Sequence, residues 1–197
     1  MEVQRAREIL RSLSLDDEGS FYGSGRGLSL GAGLLYRDVE FPIFNEKTGR
    51  FQVRSGLVCV LSHECDVDPA NVRFLNGMVL VCLVLPLAAV VDVAAARALS
   101  DGDLGAFLGN VARRRTPRCV YFVPHPAFLP DGGLLNLNLI ASTDRLFLPD
   151  SNRVAALSAQ AFRTVSSALE DHLIRPKAEI LPFTDAAIRR SRSITDE

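Results

Sequence analysis

The chain has 197 residues, a formal net charge of −1 and a pI near 6.3, with 48% hydrophobic and 23% charged residues. This length fits one domain with a terminal extension, and the apolar content excludes a chain that is disordered throughout. The near-neutral charge excludes a bulk attraction to phosphate, so nucleic-acid binding would need a local basic patch.

The amino terminus and the apolar runs indicate where the protein works. No apolar secretory segment follows Met1–Arg5, and the longest apolar run, Met78–Val91, is too short to span a bilayer and contains Pro86. We therefore expect a cytoplasmic protein without membrane contact. The four cysteines form no CxxC pair, which argues against a zinc knuckle, and we expect no resident cofactor.

The first predicted element is an amphipathic helix over Val3–Leu13, where five apolar residues recur at helical spacing. Gly19–Gly33 is rich in Gly and Ser, and we expect it to be a flexible loop or linker. Within it, Gly23–Gly27 lacks the preceding strand and the following GK[ST] of a phosphate-binding loop. Residues 1–33 are therefore interpreted as a helix and a Gly/Ser-rich linker ahead of the main domain.

From Leu34 onward the chain has the patterns of a mixed α and β domain. We predict strands over Leu34–Phe44, Phe51–Val53, Leu57–Leu61, Met78–Leu85, Cys119–Val123, Leu135–Leu139 and Val154–Leu157. Asn45–Gly49 is predicted to be a hairpin turn. Helical spacing covers Asp92–Ala112, with a break or cap at Ser100, and returns after Ser158, an expected N-cap.

This order of elements predicts an α+β fold. Several short strands with interrupting helices are typical of a small, partly open β-barrel, here with an amphipathic N-terminal helix and a closing C-terminal helix. The barrel domain is predicted over residues 34–176. Residues 177–197 end in polar side chains, and we expect a partly disordered tail.

Four segments resemble parts of a known family in the same order along the chain. Leu57–Ser62 resembles a first long strand with a terminal Ser, and Met78–Pro86 resembles the next core strand. Leu139–Leu146 resembles a late strand with an Arg-Leu step, and Ala156–Ser158 resembles the entry to a closing helix. The family is the PemK/MazF type of toxin endoribonuclease, and the resemblance implies an SH3-like barrel and a homodimer paired through strand edges.

Two departures from this family's pattern concern its chemistry. The family opens the first core strand with an Arg-Pro pair where this chain has Gly56 and Leu57, and it ends the second with Thr-Ser where this chain has Leu85 and Pro86. Groups that stabilise a developing phosphorane are therefore missing at those positions. The resemblance implies a non-catalytic or lapsed toxin-like barrel protein, of bacterial or phage origin, that binds a protein or nucleic acid.

The densest group of chemically capable side chains follows the strand at Leu57–Leu61. Ser62–Asp66 is similar to a Ser-x-x-Cys-Asp pattern of uncharacterised bacterial and phage proteins. The candidate catalytic residues are Ser62, His63, Cys65 and Asp66. They suit a hydrolase or nuclease with a Cys65 nucleophile activated by His63 or His125, although the neighbouring carboxylates would raise the pKa of a thiol.

Two other interpretations of the same group remain open. His63, Cys65 and Asp68 offer nitrogen, sulfur and oxygen ligands, so a divalent metal is an alternative, although the spacing matches no standard zinc module. The structural interpretation makes Ser62 and Asp66 caps of a turn that closes one strand against the next.

The strongest basic patch is formed by Arg113, Arg114, Arg115 and Arg118. Such a run is most often a solvated surface. Beside a groove, it would hold the backbone of RNA or DNA or a protein partner. These four arginines are the candidate binding residues.

Overall fold

The structure, a computed structural model, describes residues 1–14, 19–25, 27–45, 48–67 and 78–174. The strands are β1 (Tyr22–Gly23), β2 (Leu34–Asn45), β3 (Arg50–Val60), β4 (Met78–Pro86), β5 (Cys119–Phe122), β6 (Gly133–Asp144) and β7 (Arg153–Leu157). The helices are α1 (Val3–Leu13), the one-turn α2 (Glu64–Val67), α3 (Leu87–Ala96), α4 (Asp101–Ala112) and α5 (Ala159–Ile174).

The seven strands form one antiparallel sheet in the order β1-β7-β2-β3-β4-β6-β5. This confirms the α+β class. The edge strands are β1 and β5, and within the described residues no ladder of backbone hydrogen bonds joins them. The sheet is therefore open and does not close into a barrel.

Side chains bring the two ends of the open sheet together. The Tyr22 hydroxyl, on β1, donates a hydrogen bond of 2.8 Å to the carbonyl oxygen of Val123, just beyond β5. The rings of Phe21 and Phe122 meet edge to face with centroids 5.4 Å apart. Helix α5 packs against both β5 and β7. The sheet is thus strongly curved, and its two ends are joined by aromatic packing.

Both faces of the sheet are buried, which explains the unbroken apolar runs in the central strands. Leu57 and Cys59 of β3 face a cluster that includes residues of α1, α3, α4 and α5, whereas Val58 and Val60 face a second cluster on the opposite side of the sheet. Leu148, which follows β6, closes that second cluster. The end of β3 is therefore held rigidly at the point where the polar residues begin.

The helix starts are set by capping serines and by a proline. Helix α1 has the predicted bounds. The Ser100 hydroxyl accepts from the Asp103 N–H at the start of α4, and the Ser158 hydroxyl accepts from the Ala161 N–H at the start of α5. Helix α3 begins earlier than predicted, at Leu87, because Pro86 is tolerated directly before a first helical turn.

Strand β3 is continuous where two short strands were predicted. Among the described residues, 50–56 pair with β2 alone, whereas β4 pairs with Leu57–Val60. Residues 37–45 of β2 and 50–56 of β3 therefore form a two-stranded extension of the sheet, which we call the β2–β3 arm.

The amino-terminal segments pack on the same core as the sheet. Ala6 and Leu10 of α1, and Phe21 just before β1, lie in the cluster that covers the helical face. Residues 177–197 lie outside the described part, so the proposed division at residues 33 and 176 stays a prediction. Among the described helices, none is both long and apolar enough to cross a membrane.

Candidate functional site

Ser62 joins the end of β3 to β4. Its hydroxyl oxygen accepts a hydrogen bond of 2.8 Å from the backbone N–H of Leu80. The backbone N–H of Leu61 donates to the carbonyl of the same residue, Leu80, at 2.8 Å. Ser62 therefore continues the strand pairing by one step with its side chain, as the structural interpretation of this segment expects.

His63 and Cys65 are exposed at the entry to the one-turn helix α2. The hydrogen bond that joins them runs from the backbone N–H of Cys65 to Nδ1 of His63, at 3.2 Å. This contact uses the imidazole lone pair that faces Cys65 to cap a helical turn. Among the described residues, no hydrogen bond links His63 to the Ser62 hydroxyl, so the structure contains no Ser-His pair of the kind that activates a nucleophile.

The metal hypothesis for this segment remains a prediction. Within residues 48–67 and 78–174, and in the described amino-terminal ranges, no three His, Cys, Asp or Glu side chains converge closely enough to hold an ion. Asp68 lies outside the described residues, and so does the turn predicted at residues 68–71. His63 and Cys65 are both exposed, but the described residues supply no third side chain that would bind a metal ion with them.

The other three cysteines are structural. Cys59 and Cys82 are fully buried and directly opposite each other on β3 and β4, and Cys82 donates to the carbonyl of Asn136 at 3.2 Å. Burial raises the pKa of Cys59 to about 12. Burial also raises the pKa of Cys119 to about 11, although the nearby Arg118 guanidinium opposes this. These thiols stay protonated at neutral pH and are poor nucleophiles.

The four candidate arginines lie on the loop between α4 and β5, and all four are exposed. The backbone N–H of Arg115 donates to the carbonyl of Asn110 at 2.8 Å, and that of Arg114 donates to Val111 at 2.9 Å. This pair of bonds is a Schellman motif, the commonest way to end a helix. The loop that carries the arginines, residues 113–118, is therefore closed by its own backbone; we call it the arginine loop.

One arginine occupies a backbone conformation that usually requires glycine. Arg114 has φ of +56° at the position after the helix cap. A residue with a Cβ in the left-handed region costs roughly 1 kcal/mol relative to glycine. Cations near a helix C-terminus recover part of this through the helix dipole. The strain turns the chain sharply, so that the arginines around the turn are presented to solvent.

A small cavity of about 140 Å³ lies between the arginine loop, β5 and α5. Its polar lining consists of Arg114, Thr116, Thr164, Ser167 and Asp171. The last three lie on one face of α5. Their spacing in the sequence could have indicated this polar face, but the apolar stripe of the same helix dominated its interpretation. The structure therefore places Thr164, Ser167 and Asp171 of α5 in the same cavity as Arg114, which sequence reasoning did not anticipate.

A second arginine-centred feature escaped sequence reasoning altogether. Arg153, at the start of β7, is nearly buried and donates to the carbonyls of Gly25 and Leu28 at 2.9 and 2.7 Å. Its guanidinium also bonds the Tyr36 hydroxyl at 3.1 Å and forms an ion pair with Asp150. Arg153 thus fastens the Gly/Ser-rich segment to the sheet, and its donors are used within the fold.

Comparison with models of known protein families gives no match for this chain, and comparison with curated proteins gives none either. The chemistry of the site must therefore be argued from its own residues. The Ser62–Cys65 segment has the geometry of a capped turn. The arginine loop has the geometry of an exposed cationic surface beside a polar cavity.

Proposed function

We propose that the protein is a non-catalytic binding protein that holds the backbone of a nucleic acid at the arginine loop. The observation that carries this proposal is the exposure of Arg113, Arg114, Arg115 and Arg118 on one backbone-closed turn. A guanidinium presents a planar fork of donors that matches the oxygens of a phosphate group. Four such forks within six residues form a local cationic surface on a chain whose net charge is −1.

The surroundings of the loop favour this function. Among the described carboxylates, none forms an ion pair within 4.0 Å of Arg113, Arg115 or Arg118. The cavity beside Arg114 is about 140 Å³, below the roughly 300 Å³ at which pockets for whole small molecules begin. It is too small for a nucleoside, and Asp171 in its lining would repel a phosphate group, so we expect phosphates to contact the exposed guanidiniums rather than to enter the cavity. Contacts to the backbone would then dominate over contacts to bases.

The fold is consistent with a lapsed toxin-like barrel. We infer that the curved, open sheet is a variant of the SH3-like barrel of the PemK/MazF type, acting in bacterial or phage conflict or in regulation. In that family an Arg-Pro pair occupies the positions of Gly56 and Leu57. A Cβ added at Gly56 would lie 2.9 Å from Leu83 Cδ1, the end of a flexible side chain, and no other atom of the described residues comes within 4 Å of it. The lack of a guanidinium at residues 56 and 57 supports binding without ribonuclease chemistry.

The test is binding of a fluorescent single-stranded RNA and a double-stranded DNA, measured by anisotropy. The triple variant Arg113→Gln, Arg115→Gln and Arg118→Gln should lose at least about tenfold in affinity, because each phosphate contact contributes a share of the electrostatic term. The matched control, Arg5→Gln, Arg11→Gln and Arg37→Gln, removes the same charge elsewhere and should change affinity far less. Equal losses in both triple variants would overturn the proposal.

The exposed Cys65 supports a second candidate function, a hydrolase or nuclease at Ser62–Asp66 that uses a thiolate or a bound metal. Cys65 is the one exposed cysteine of the chain, and it lies in the one-turn helix that follows the end of β3. Selective alkylation of Cys65 at neutral pH, together with RNA cleavage lost in Cys65→Ser, would establish this function. A rate of alkylation equal to that of the unfolded chain, with no cleavage, would exclude the nucleophile.

A further inference from the structure

The β2–β3 arm extends beyond the rest of the sheet. Of the residues of β2, only Leu34–Tyr36 pair with β7. Of the residues of β3, only Leu57–Val60 pair with β4. Within the described residues, the outer edges of both arm strands therefore have no neighbouring strand. A two-stranded ribbon is only marginally stable by itself in water, and a free strand edge is a template for pairing with another chain.

The two edges of the arm differ in how well they resist pairing. The β2 edge contains Pro42, and Asp38 adopts φ of +56° beside an irregularity in the β2–β3 register. Proline and a bulge are devices that protect an edge. Residues 50–56 on the β3 edge contain no proline and no left-handed residue. Within the part of the chain that the structure describes, the β3 edge is therefore the one open to a further strand.

The position of Pro42 indicates which backbone groups of β3 face outward. Pro42 is directly opposite Val53 in the β2–β3 pairing. Proline has no N–H, so it fits where its nitrogen points away from the neighbouring strand. In an antiparallel pair the opposing residue then also directs its N–H and C=O outward. Val53 thus presents both groups at the free edge, as do Phe51 and Ser55, two residues to either side.

One face of the arm is apolar and exposed. Phe44 is directly opposite Phe51, and their rings meet edge to face with centroids 5.4 Å apart. Phe44, Phe51 and Val53 are 51%, 73% and 64% exposed. With Pro42 they form a contiguous apolar strip that ends at the free edge. Contiguous apolar strips on a surface mark places where another molecule binds.

We propose that the β3 edges of two copies of this chain pair antiparallel, about a two-fold axis that passes by Val53. An axis perpendicular to the sheet keeps the two apolar faces on the same side. The opposed pairs are then Val53 with Val53 of the partner subunit, Phe51 with Ser55 of the partner subunit, Gln52 with Arg54 of the partner subunit, and Arg50 with Gly56 of the partner subunit.

This register is self-complementary, which is why a second copy fits better than an unrelated partner. The outward N–H and C=O groups of Val53 meet the same groups of the Val53 of the partner subunit, so both hydrogen bonds form. Pro42 and Val53 of one subunit then lie in line with Val53 and Pro42 of the partner subunit, so the apolar strip continues across the axis. No like charges are directly opposite each other in this register. Arg54 is opposite Gln52 of the partner subunit, whose side-chain amide oxygen can accept from a guanidinium, as Gln52 of its own strand does at 3.3 Å.

The interface is small, so a weak dimer follows. A ladder of seven residues and one apolar strip bury less than a standard interface, and we expect a dissociation constant on the order of 10–100 µM. Analytical ultracentrifugation of the full chain over this concentration range tests it. Val53→Lys places two ammonium groups at the axis and should weaken the dimer by at least about tenfold.

Val93→Lys is the matched control, since Val93 is 50% exposed on α3, away from the arm. It should leave the dissociation constant unchanged. A second measurement uses Val53→Cys in a Cys65→Ser background, where mild oxidation should form a disulfide-linked dimer that Val93→Cys does not form. A chain that stays monomeric at the highest concentration, or a dimer that Val53→Lys leaves intact, would overturn the proposal.

Discussion

Ser62 and His63 show how chemically capable side chains can serve the fold. The Ser62 hydroxyl accepts from a β4 N–H, and His63 accepts from the N–H that begins α2. Each side chain replaces a hydrogen bond that the backbone cannot make where a strand ends and a helix begins. The arginine loop is the opposite case, because backbone hydrogen bonds close the turn while its four arginines stay exposed.

Ser62→Ala should lower the free energy of unfolding by about 1 kcal/mol, because the Leu80 N–H loses its acceptor. Urea unfolding measures this change. Ser20→Ala, at an exposed serine before β1, should leave stability unchanged. The account of Ser62 as a structural cap would be wrong if both variants unfolded at the same urea concentration as the parent chain.

Elements with a clear periodicity could be predicted, and elements defined by tertiary contacts could not. The 3.6-residue pattern of α1 and the apolar run of β4 are local signals, and both elements lie where predicted. The start of α3 was missed because Leu87–Val91 continues the apolar run of β4 without a break. The β2–β3 arm was missed because its length depends on where β4 stops pairing, which no local pattern reports.

The β4–β6 pairing depends on a glycine at the start of β6. A Cβ added at Gly133 would lie 2.5 Å from the carbonyl oxygen of Leu85, a backbone atom that cannot move aside cheaply. Gly133→Ala should therefore lower the free energy of unfolding by about 2–4 kcal/mol. Gly23→Ala in β1 is the control, since nothing lies within 4 Å of its added Cβ. Thermal unfolding of the two variants should separate them clearly; equal melting temperatures would contradict the packing described for Gly133.

At the scale of the whole molecule, the arginines of the candidate site could be predicted from the sequence, but the residues that pack around them could not. The arginines are contiguous and could be found by inspection. The hydroxyls of Thr164 and Ser167 reach the same cavity from α5, some 50 residues further along the chain, and only the packing of α5 on β5 brings them there. The open sheet likewise depends on long-range pairing, so a partly open barrel was the nearest prediction that local patterns could support.

The buried thiols make the stability of the whole fold sensitive to alkaline pH. Burial raises the pKa of Cys59 from 9.0 to about 12, and it also raises the pKa of Cys82. The folded thiols keep their protons at a pH where unfolded thiols lose them. Their contribution to stability is therefore complete below about pH 9 and is lost as the pH rises towards the folded pKa, by up to about 1.4 kcal/mol per pH unit for each thiol.

Urea unfolding between about pH 8 and pH 10.5 measures this loss. Cys59→Ala should lower stability at neutral pH but reduce the slope above pH 9, because one titrating thiol is gone. Val58→Ala, which removes buried volume from the neighbouring residue without removing a thiol, should keep the parent slope. An unchanged slope in Cys59→Ala would contradict the assignment of the alkaline loss to Cys59.

The most direct test of the central claim is the salt dependence of nucleic-acid binding. For the parent chain, the logarithm of the association constant should fall linearly with the logarithm of the salt concentration, since phosphate contacts release counterions. The triple variant Arg113→Gln, Arg115→Gln and Arg118→Gln should show a slope shallower by about two to three. A slope that is the same in parent and variant would show that the arginine loop does not contact phosphate.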